Sequence, residues 1–269
     1  MPITSVSNAK SPDMLVSILR TSTSDIATLT SDDLKSLSIT QVEHLSPAEL
    51  ALIQPESITG FSTTQLAALD PGSISSLSIA QITQLTTGQI SGLKTSALQE
   101  ITTSQLQSMS TAQINSLQAQ IRDLSTTQIR NLTQEQVAAL STSQVISLIP
   151  TQIAALTTQQ FQSLTTSQLS SLTPSQIANI QQDDMAALVT NNNQVRAFTS
   201  AQVSALKTEQ VSTLFALQSL GLTGNQVASL STSAIRSLGY PQLNQFSTDQ
   251  IKSLTTSQMA VLTSDQINQ

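Results

Sequence analysis

Residues 125–148 read "STTQIRNLTQEQVAALSTSQVISL", which is one eight-residue pattern written three times. This pattern, the octad, has Ser or Thr at position 1, Gln at position 4, Ile or Val at position 5 and Leu at position 8. Octads run without a break from Ser22 to Leu117, where the seven-residue "QAQIRDL" (118–124) interrupts them. They then continue to Leu188, and they resume after an insertion at 189–190. An internal repeat of this kind predicts a repeat architecture.

Two simple backbones do not fit the octad. In a β-strand, positions 5 and 8 would point to opposite faces and could not share a core. In one continuous α-helix, proline at position 2 would break the helix wherever it occurs. Five octads carry it, with Pro47, Pro55, Pro71, Pro150 and Pro174.

One short helix per octad fits every position. Ser or Thr at position 1 is a preferred N-cap, and Gln, Glu or Asp at position 4 completes a capping box. Proline at position 2 then falls on the first helical residue, where it is tolerated. The Leu before each N-cap and the residue at position 5 form a hydrophobic staple. The sequence predicts staples of Leu124 with Ile129 and Leu140 with Val145, and caps of Ser125 with Gln128 and Ser141 with Gln144.

The predicted fold is all-α, an α-solenoid of very short helices that forms an elongated superhelical rod. Two apolar side chains cannot offset the ordering cost of an isolated octad. Stability must therefore come from stacking octad on octad. The number of helices per superhelical turn stays open between two and three. Gly72 and Gly88 lie sixteen residues apart, whereas Pro47 and Pro71 lie twenty-four apart.

Departures from the octad predict four regions. Residues 1–21 are an N-terminal segment with a capping helix over 11–20, and residues 22–188 are the octad solenoid. Residues 189–222 are irregular and include a longer helix over 208–221, with Val211, Leu214 and Phe215 inward and Gly221 as its stop. Residues 223–269 return to octads and end without an atypical capping unit. Either the sequence is a piece of something longer, or this open end is covered by another copy.

Charge and composition exclude several classes. The net charge is −6 and the ten Lys and Arg are scattered, so no basic patch is available for nucleic acid or an anionic membrane surface. No run of apolar residues reaches the length of a transmembrane segment, and no secretory signal is recognisable at the start. Any export would use a route without a cleaved N-terminal signal.

Catalytic and metal-binding constellations are not recognisable in the sequence. The protein has one histidine, His44, and no cysteine, so no Ser-His-Asp or Cys-His arrangement can be assembled. The pairs at 32–33 and 183–184 contain two aspartates each, but each pair includes position 4, where capping explains the carboxylate better than calcium. We expect no enzyme activity, no cofactor and no metal. A Ser and Thr array for ice or glycan is a weaker alternative, because most hydroxyls are needed as caps.

The segments "LSTSQVISLIPTQIAAL" (140–156) and "LTTSQLSSLTPSQIANI" (164–180) resemble octapeptide-repeat tracts of large secreted or surface proteins of Gram-negative bacteria, often labelled adhesin-like. The resemblance implies an extracellular or cell-surface location and a spacer, coat or fibre role. The first hypothesis is a structural protein that self-assembles, end to end or side by side, into an extracellular filament or sheath. The alternative is a solenoid binding module that recognises a peptide, a glycan or a cell surface, with 189–222 as its site.

Overall fold

A computed structural model describes Lys10, Ser11, Met14 and residues 23–189, 192–216 and 222–267. Within these residues every regular element is a helix and none is a strand. The helices are short and follow one another in tandem, one in each octad from 30 to 214 and from 223 onward. The predicted all-α solenoid of one short helix per octad is confirmed.

The chain divides into two compact units, Met1–Leu132 and Thr133–Gln269. The first unit contains α-helices and two 3-10 helices, at Pro55–Gly60 and Gln118–Asp123. Its α-helices are Thr23–Ile26, Ser31–Ser36, Ile39–Glu43, Pro47–Leu52, Thr63–Ala68, Pro71–Ser75, Ile79–Gln84, Thr87–Ser91, Thr95–Glu100, Thr103–Ser108, Thr111–Ser116 and Thr126–Arg130.

The second unit is built in the same way from α-helices. They are Gln134–Ala139, Thr142–Ser147, Pro150–Ile153, Thr158–Ser163, Thr166–Ser171, Pro174–Ile177, Gln182–Val189, Asn192–Arg196, Ser200–Ser204, Thr208–Ala216, Gly224–Ala228, Thr232–Ser237, Tyr240–Leu243, Thr248–Ser253, Thr256–Met259 and Ser264–Ile267.

The chain changes direction at positions 8 and 1 of successive octads. At position 8, for example, Leu69 ends its helix with φ −60° and ψ 148°. At position 1 of a later octad, Ser78 begins the helix Ile79–Gln84 with φ −64° and ψ 159°. Both residues are extended, so each helix is interrupted after one to two turns. Ser or Thr at position 1 then starts the next helix by accepting from the backbone N–H at position 4.

Each helix stacks on the helix three octads away. In the first unit Ile39–Glu43 contacts Thr63–Ala68, and in the second Gly224–Ala228 contacts Thr248–Ser253. Both pairs are twenty-four residues apart. The spacing of Pro47 and Pro71 therefore matches the stacking distance, and the sixteen-residue spacing of Gly72 and Gly88 does not.

Positions 5 and 8 form the core of each unit. Ile82 and Ile114 at position 5 are fully buried, and Leu85 and Leu93 at position 8 are nearly so. The opposite face is polar, because position 6 points to solvent. All six basic side chains at position 6 are exposed: Lys35, Arg122, Arg130, Arg196, Arg236 and Lys252.

Small residues at position 7 allow this close stacking. A Cβ added to Gly92 would lie 2.8 Å from the Thr63 Cβ, three octads earlier, and one added to Gly60 would overlap the Ser31 carbonyl group. Position 7 of one helix thus lies against position 2 of the helix beneath it. A larger side chain there would separate the two backbones.

The seven-residue interruption at 118–124 has its own backbone. Leu117 lacks the capping side chain of a Ser or Thr, and a 3-10 helix replaces the α-helix. Gln118 adopts φ 50°, the left-handed conformation that side chains other than glycine rarely adopt. The 3-10 helix also occurs in the full octad 54–61, so what accompanies the missing residue is the left-handed backbone of Gln118.

The predicted longer helices are partly described. Thr208–Ala216 is helical, with Val211, Leu214 and Phe215 buried, while the expected stop at Gly221 lies outside the described residues. For the helix predicted over 11–20, Ser11 Oγ accepts from the Met14 N–H at 3.3 Å. The rest of that segment also lies outside the described residues.

Candidate functional site

The predicted cap of the first unit lies at the start of the helix Thr126–Arg130. The Ser125 N–H donates to Gln128 Oε1 at 2.8 Å, and the Gln128 N–H donates to Ser125 Oγ at 3.1 Å. The flanking Leu124 and Ile129 are both buried. Two backbone donors at the helix start are thus satisfied reciprocally.

The predicted cap of the second unit has the same geometry. The Ser141 N–H donates to Gln144 Oε1 at 3.1 Å, and the Gln144 N–H donates to Ser141 Oγ at 3.2 Å. Leu140 and Val145, predicted as a staple, are buried on either side of this helix start. The same arrangement recurs at nearly every octad that has Ser or Thr at position 1.

The other end of the position-4 side chain makes a contact that sequence reasoning missed. Gln65 Nε2 donates to the Leu34 carbonyl oxygen at 2.9 Å and to the Leu37 carbonyl oxygen at 2.8 Å. These carbonyl groups belong to positions 5 and 8 of the octad 30–37, which lies four octads earlier. One buried amide therefore caps its own helix through its oxygen, and its nitrogen donates to carbonyl groups at the C-terminus of an earlier helix.

We call this series of bonds the glutamine ladder. Its members are buried glutamines at position 4 whose Nε2 donates to a carbonyl oxygen of an earlier octad. They include Gln65, Gln81, Gln89, Gln105, Gln113 and Gln128 in the first unit and Gln168, Gln176, Gln194, Gln202, Gln210, Gln226, Gln250, Gln258 and Gln266 in the second.

The ladder satisfies polar groups that burial would otherwise leave unpaired. Gln168 is 2% exposed, and its Oε1 and Nε2 both have backbone partners. It binds two carbonyl groups: that of Val137, which also accepts from the Leu140 N–H at 3.2 Å, and that of Leu140, which follows the helix end and lies beyond its internal hydrogen bonds. A buried polar group without a partner costs about 1 to 3 kcal/mol, so each glutamine protects both itself and the helix that it contacts.

The ladder bonds are kept where the number of residues between the glutamine and its partners changes. Gln65 reaches carbonyls 31 and 28 residues earlier. After the seven-residue interruption, Gln128 reaches Leu98 and Ile101, which are 30 and 27 residues earlier. Across the insertion at 189–190, Gln202 reaches Leu169 and Leu172, which are 33 and 30 residues earlier. The partners are therefore set by octad position and not by residue count.

Acidic residues at position 4 are concentrated in the first octads. Asp25, Asp33 and Glu49 stand where later octads have glutamine. A carboxylate can cap its own helix, but it has no N–H to donate to a carbonyl group. Glu49 Oε2, for example, accepts from the Ser46 N–H at 2.7 Å. Asp33 and Glu49 thus complete their capping boxes but cannot donate to a carbonyl group as the ladder glutamines do.

Asp33 is fully buried and binds a lysine from the N-terminal segment. Its carboxylate accepts from the Lys10 backbone N–H, from Lys10 Nζ at 3.0 Å and from the Thr30 N–H at 2.9 Å. Burial by itself would raise the pKa of Asp33, but the hydrogen bonds from Lys10 and Thr30 outweigh it and lower the pKa to about 2. Lys10 Nζ also donates to the Thr28 carbonyl oxygen at 3.0 Å, so it joins the segment to the first octads.

This pKa shift predicts a loss of stability in acid. A carboxylate with a lowered folded pKa stabilises the fold above its unfolded pKa, near 4, and this contribution disappears as the pH falls through about 2. We expect the wild type to lose about 2 kcal/mol more than Asp33→Asn between pH 5 and pH 2. Urea unfolding across that range measures the difference. Asp32→Asn is the control because Asp32 is exposed; equal pH slopes for all three proteins would contradict the role of Asp33.

The other titratable candidates are His44 and the aspartate pair at 183–184. His44 is exposed, and its Nδ1 lies 2.6 Å from the Thr40 carbonyl oxygen of its own helix. Asp183 is exposed and Asp184 is buried at position 4. In the described part of the chain, no group of three or more His, Cys, Asp or Glu is placed to hold a metal ion.

An open cavity of about 370 Å³ lies in the second unit. It is bounded by the turn 178–183 and by the start of the helix Thr208–Ala216, and its lining is largely polar. Asp183, Lys207 and Glu209 supply charges of both signs. Of its lining residues, only Lys207, Glu209 and Gln210 belong to the irregular region 189–222.

A known repeat family matches part of the chain. The family model described as the ALTTAQ repeat matches residues 118–149 and 177–215. A comparison with curated proteins finds no match. Among the helices of the described segments, none is long and apolar enough to cross a membrane. The two family matches, the octads and the stacked short helices together identify the chain as a repeat protein.

Proposed function

We propose that this repeat protein is structural and that it self-assembles, end to end or laterally, into an extracellular filament, sheath or surface fibre. Its working parts are then the caps, the staples and the glutamine ladder, which hold successive octads together. In this role the protein supplies length and stiffness, and it transforms no substrate.

The glutamine ladder is the observation that carries the proposal. A binding surface usually presents amides and hydroxyls to its ligand, whereas here the recurring ones are used inside the fold. Gln176, for example, makes hydrogen bonds to the Thr173 N–H and to the carbonyl oxygens of Val145 and Leu148. A sequence that commits the recurring glutamine at position 4 to stacking is suited to building an extended support.

An extracellular location is supported by composition and by resemblance. Lysine and arginine are few and scattered, and Ser, Thr and Gln take their place. This composition fits the surface repeat tracts that the octads resemble.

A second candidate function is a binding module, and the open cavity in the second unit favours it. Its charged lining residues Asp183, Lys207 and Glu209 are all exposed and would face a polar ligand. A peptide or glycan with several hydrogen-bonding groups fits such a lining better than an apolar molecule does. This candidate requires discrete particles and a ligand, and it does not require assembly.

Negative-stain electron microscopy and sedimentation of the purified protein separate the two functions. The structural function predicts fibres whose length and number increase with protein concentration. Particles of one size at every concentration would reject self-assembly. Binding of a glycan or peptide to such particles, lost in Lys207→Ala and Glu209→Ala, would establish the second function instead.

A further inference from the structure

The charged residues of the first unit are concentrated on one of its three stacks of helices. This stack consists of Pro47–Leu52, Pro71–Ser75, Thr95–Glu100 and the 3-10 helix Gln118–Asp123, each packed on the next. We call its outer face the charged side. Seven residues between 46 and 124 are charged, and all except Glu56 belong to this stack: Glu49, Asp70, Lys94, Glu100, Arg122 and Asp123.

The other two stacks contain five octads without a charged residue, at 62–69, 78–93 and 102–117. We call the exposed side chains of these five octads the neutral surface. They carry hydroxyl, amide and small apolar groups, such as Thr83, Ser91 and Gln107, and Ile79 is 51% exposed among them. Surfaces that face solvent usually mix charges of both signs, whereas the centres of protein–protein contacts are depleted of charge. The neutral surface therefore has the charge content of a contact region.

The neutral surface also lies over the ladder. Its five octads are those in which position 4 between 46 and 117 is a ladder glutamine, namely Gln65, Gln81, Gln89, Gln105 and Gln113. In the stack of the charged side, position 4 is instead Glu49, Ser73 or Ala97. Each helix beneath the neutral surface is thus held to an earlier octad by the same bonds. Its exposed groups therefore repeat in a regular order that another regular surface can match.

A second copy of the chain is the partner that this surface fits. The net charge is −6, so two copies repel each other where their charged residues meet. Hydroxyl and amide groups both donate and accept hydrogen bonds, so a surface made of them is complementary to itself. The same contact would cover the exposed apolar side chain of Ile79. A charged partner, in contrast, would find no opposite charge on these octads.

We propose that the neutral surface forms the lateral contact between copies of this chain and that the charged side faces solvent. This assignment rests on the proposed structural function, and it specifies which part of the first unit joins molecules side by side.

Lysine substitutions at position 6, where Lys35 already occurs, test the proposal. Thr83→Lys/Ser91→Lys places two cations on the neutral surface. The control, Ser75→Lys/Gln99→Lys, places two on the charged side and has the same net charge. Ser75 and Ser91 are closely matched, because each Oγ donates to the carbonyl oxygen three residues earlier, at 2.7 and 3.0 Å. We expect the first variant to require at least about tenfold more protein for assembly, measured by sedimentation, and the control to assemble as the wild type does.

Single cysteines give a second measurement that perturbs the fold less. The chain has no cysteine, and Ser91→Cys and Ser75→Cys each replace one exposed hydroxyl by a thiol of similar size. We expect assembly to slow maleimide labelling of Ser91→Cys at least about tenfold, because access controls thiol reactivity. Labelling of Ser75→Cys should proceed at the same rate in assembled and dispersed protein.

Helical circular dichroism and urea unfolding verify the fold of all four variants, and labelling of the cysteine variants alone decides if a lysine variant is unfolded. Equal assembly of the two lysine variants, a greater loss in the control, or equal protection of the two cysteines would each overturn the proposal and leave the structural function standing. Wild-type protein that stays dispersed at every concentration would refute both the lateral contact and self-assembly.

Discussion

Ile82→Asp is expected to unfold a block of octads, with the largest effect of any single substitution considered. Ile82 is fully buried at position 5, and its carbonyl oxygen accepts from the ladder residue Gln113 at 2.9 Å. A carboxylate at this site has no cation to pair with, and the burial of the isoleucine side chain is lost as well. We expect a loss of about 4 kcal/mol or more, which is a large part of the stability of a domain.

Helical circular dichroism during thermal and urea unfolding measures this loss. Because an octad is stabilised mainly by its neighbours, the signal should fall by more than the one helix Ile79–Gln84 contributes. Ile79→Asp is a matched control in the same helix. Ile79 is 51% exposed near the helix start, where an aspartate interacts favourably with the helix dipole. If the two variants unfolded at the same urea concentration, the assignment of position 5 to the core would be wrong.

Gln168→Glu is expected to destabilise the second unit although the two side chains have nearly the same shape. Glutamate keeps the oxygen that accepts from the Thr165 N–H at 2.7 Å. It loses the two donors that bind the carbonyl oxygens of Val137 at 3.0 Å and Leu140 at 2.7 Å. A buried charge then faces two acceptors, and we expect a loss of about 3 kcal/mol or more at neutral pH.

The pH dependence of this variant separates a lost donor from a simple packing defect. Burial against carbonyl groups raises the pKa of the introduced glutamate in the folded state. The penalty is therefore present above that raised pKa, and it disappears as the pH falls below the unfolded value near 4, where the protonated acid can donate. Gln162→Glu is the control, since Gln162 is exposed at position 6 of a neighbouring octad. An equal loss at pH 4 and pH 7 would argue against the ladder.

The local part of the fold follows from the sequence because its partners are close in the chain. Ser125 and Gln128 are three residues apart, so the helix start brings them together whatever the rest of the chain does. Proline at position 2 fixes where that start falls, and it excludes a continuous helix. These arguments require no knowledge of which octads stack, and they suffice to predict an all-α fold of short helices.

The glutamine ladder could not be predicted in the same way, because its partners are about thirty residues apart. Spacing alone left two or three helices per turn open, so no carbonyl group could be assigned to a glutamine side chain. A signal was nevertheless present. Glutamate completes a capping box as well as glutamine does, yet glutamine dominates position 4 after the first octads. Acids occur there at Asp25, Asp33 and Glu49 and once more at Asp184, so the amide predominates strongly. A preference for an amide over a carboxylate indicates a required donor.

The change of ladder spacing at Gln128 and Gln202 has a consequence for how such proteins vary in size. Because every octad offers the same pair of acceptors, removal or duplication of whole octads leaves each glutamine with an equivalent partner, and small insertions are absorbed between octads. Molecular length can then change by recombination within the gene without the design of a new core. Natural variants of this protein should differ from one another mainly in multiples of eight residues.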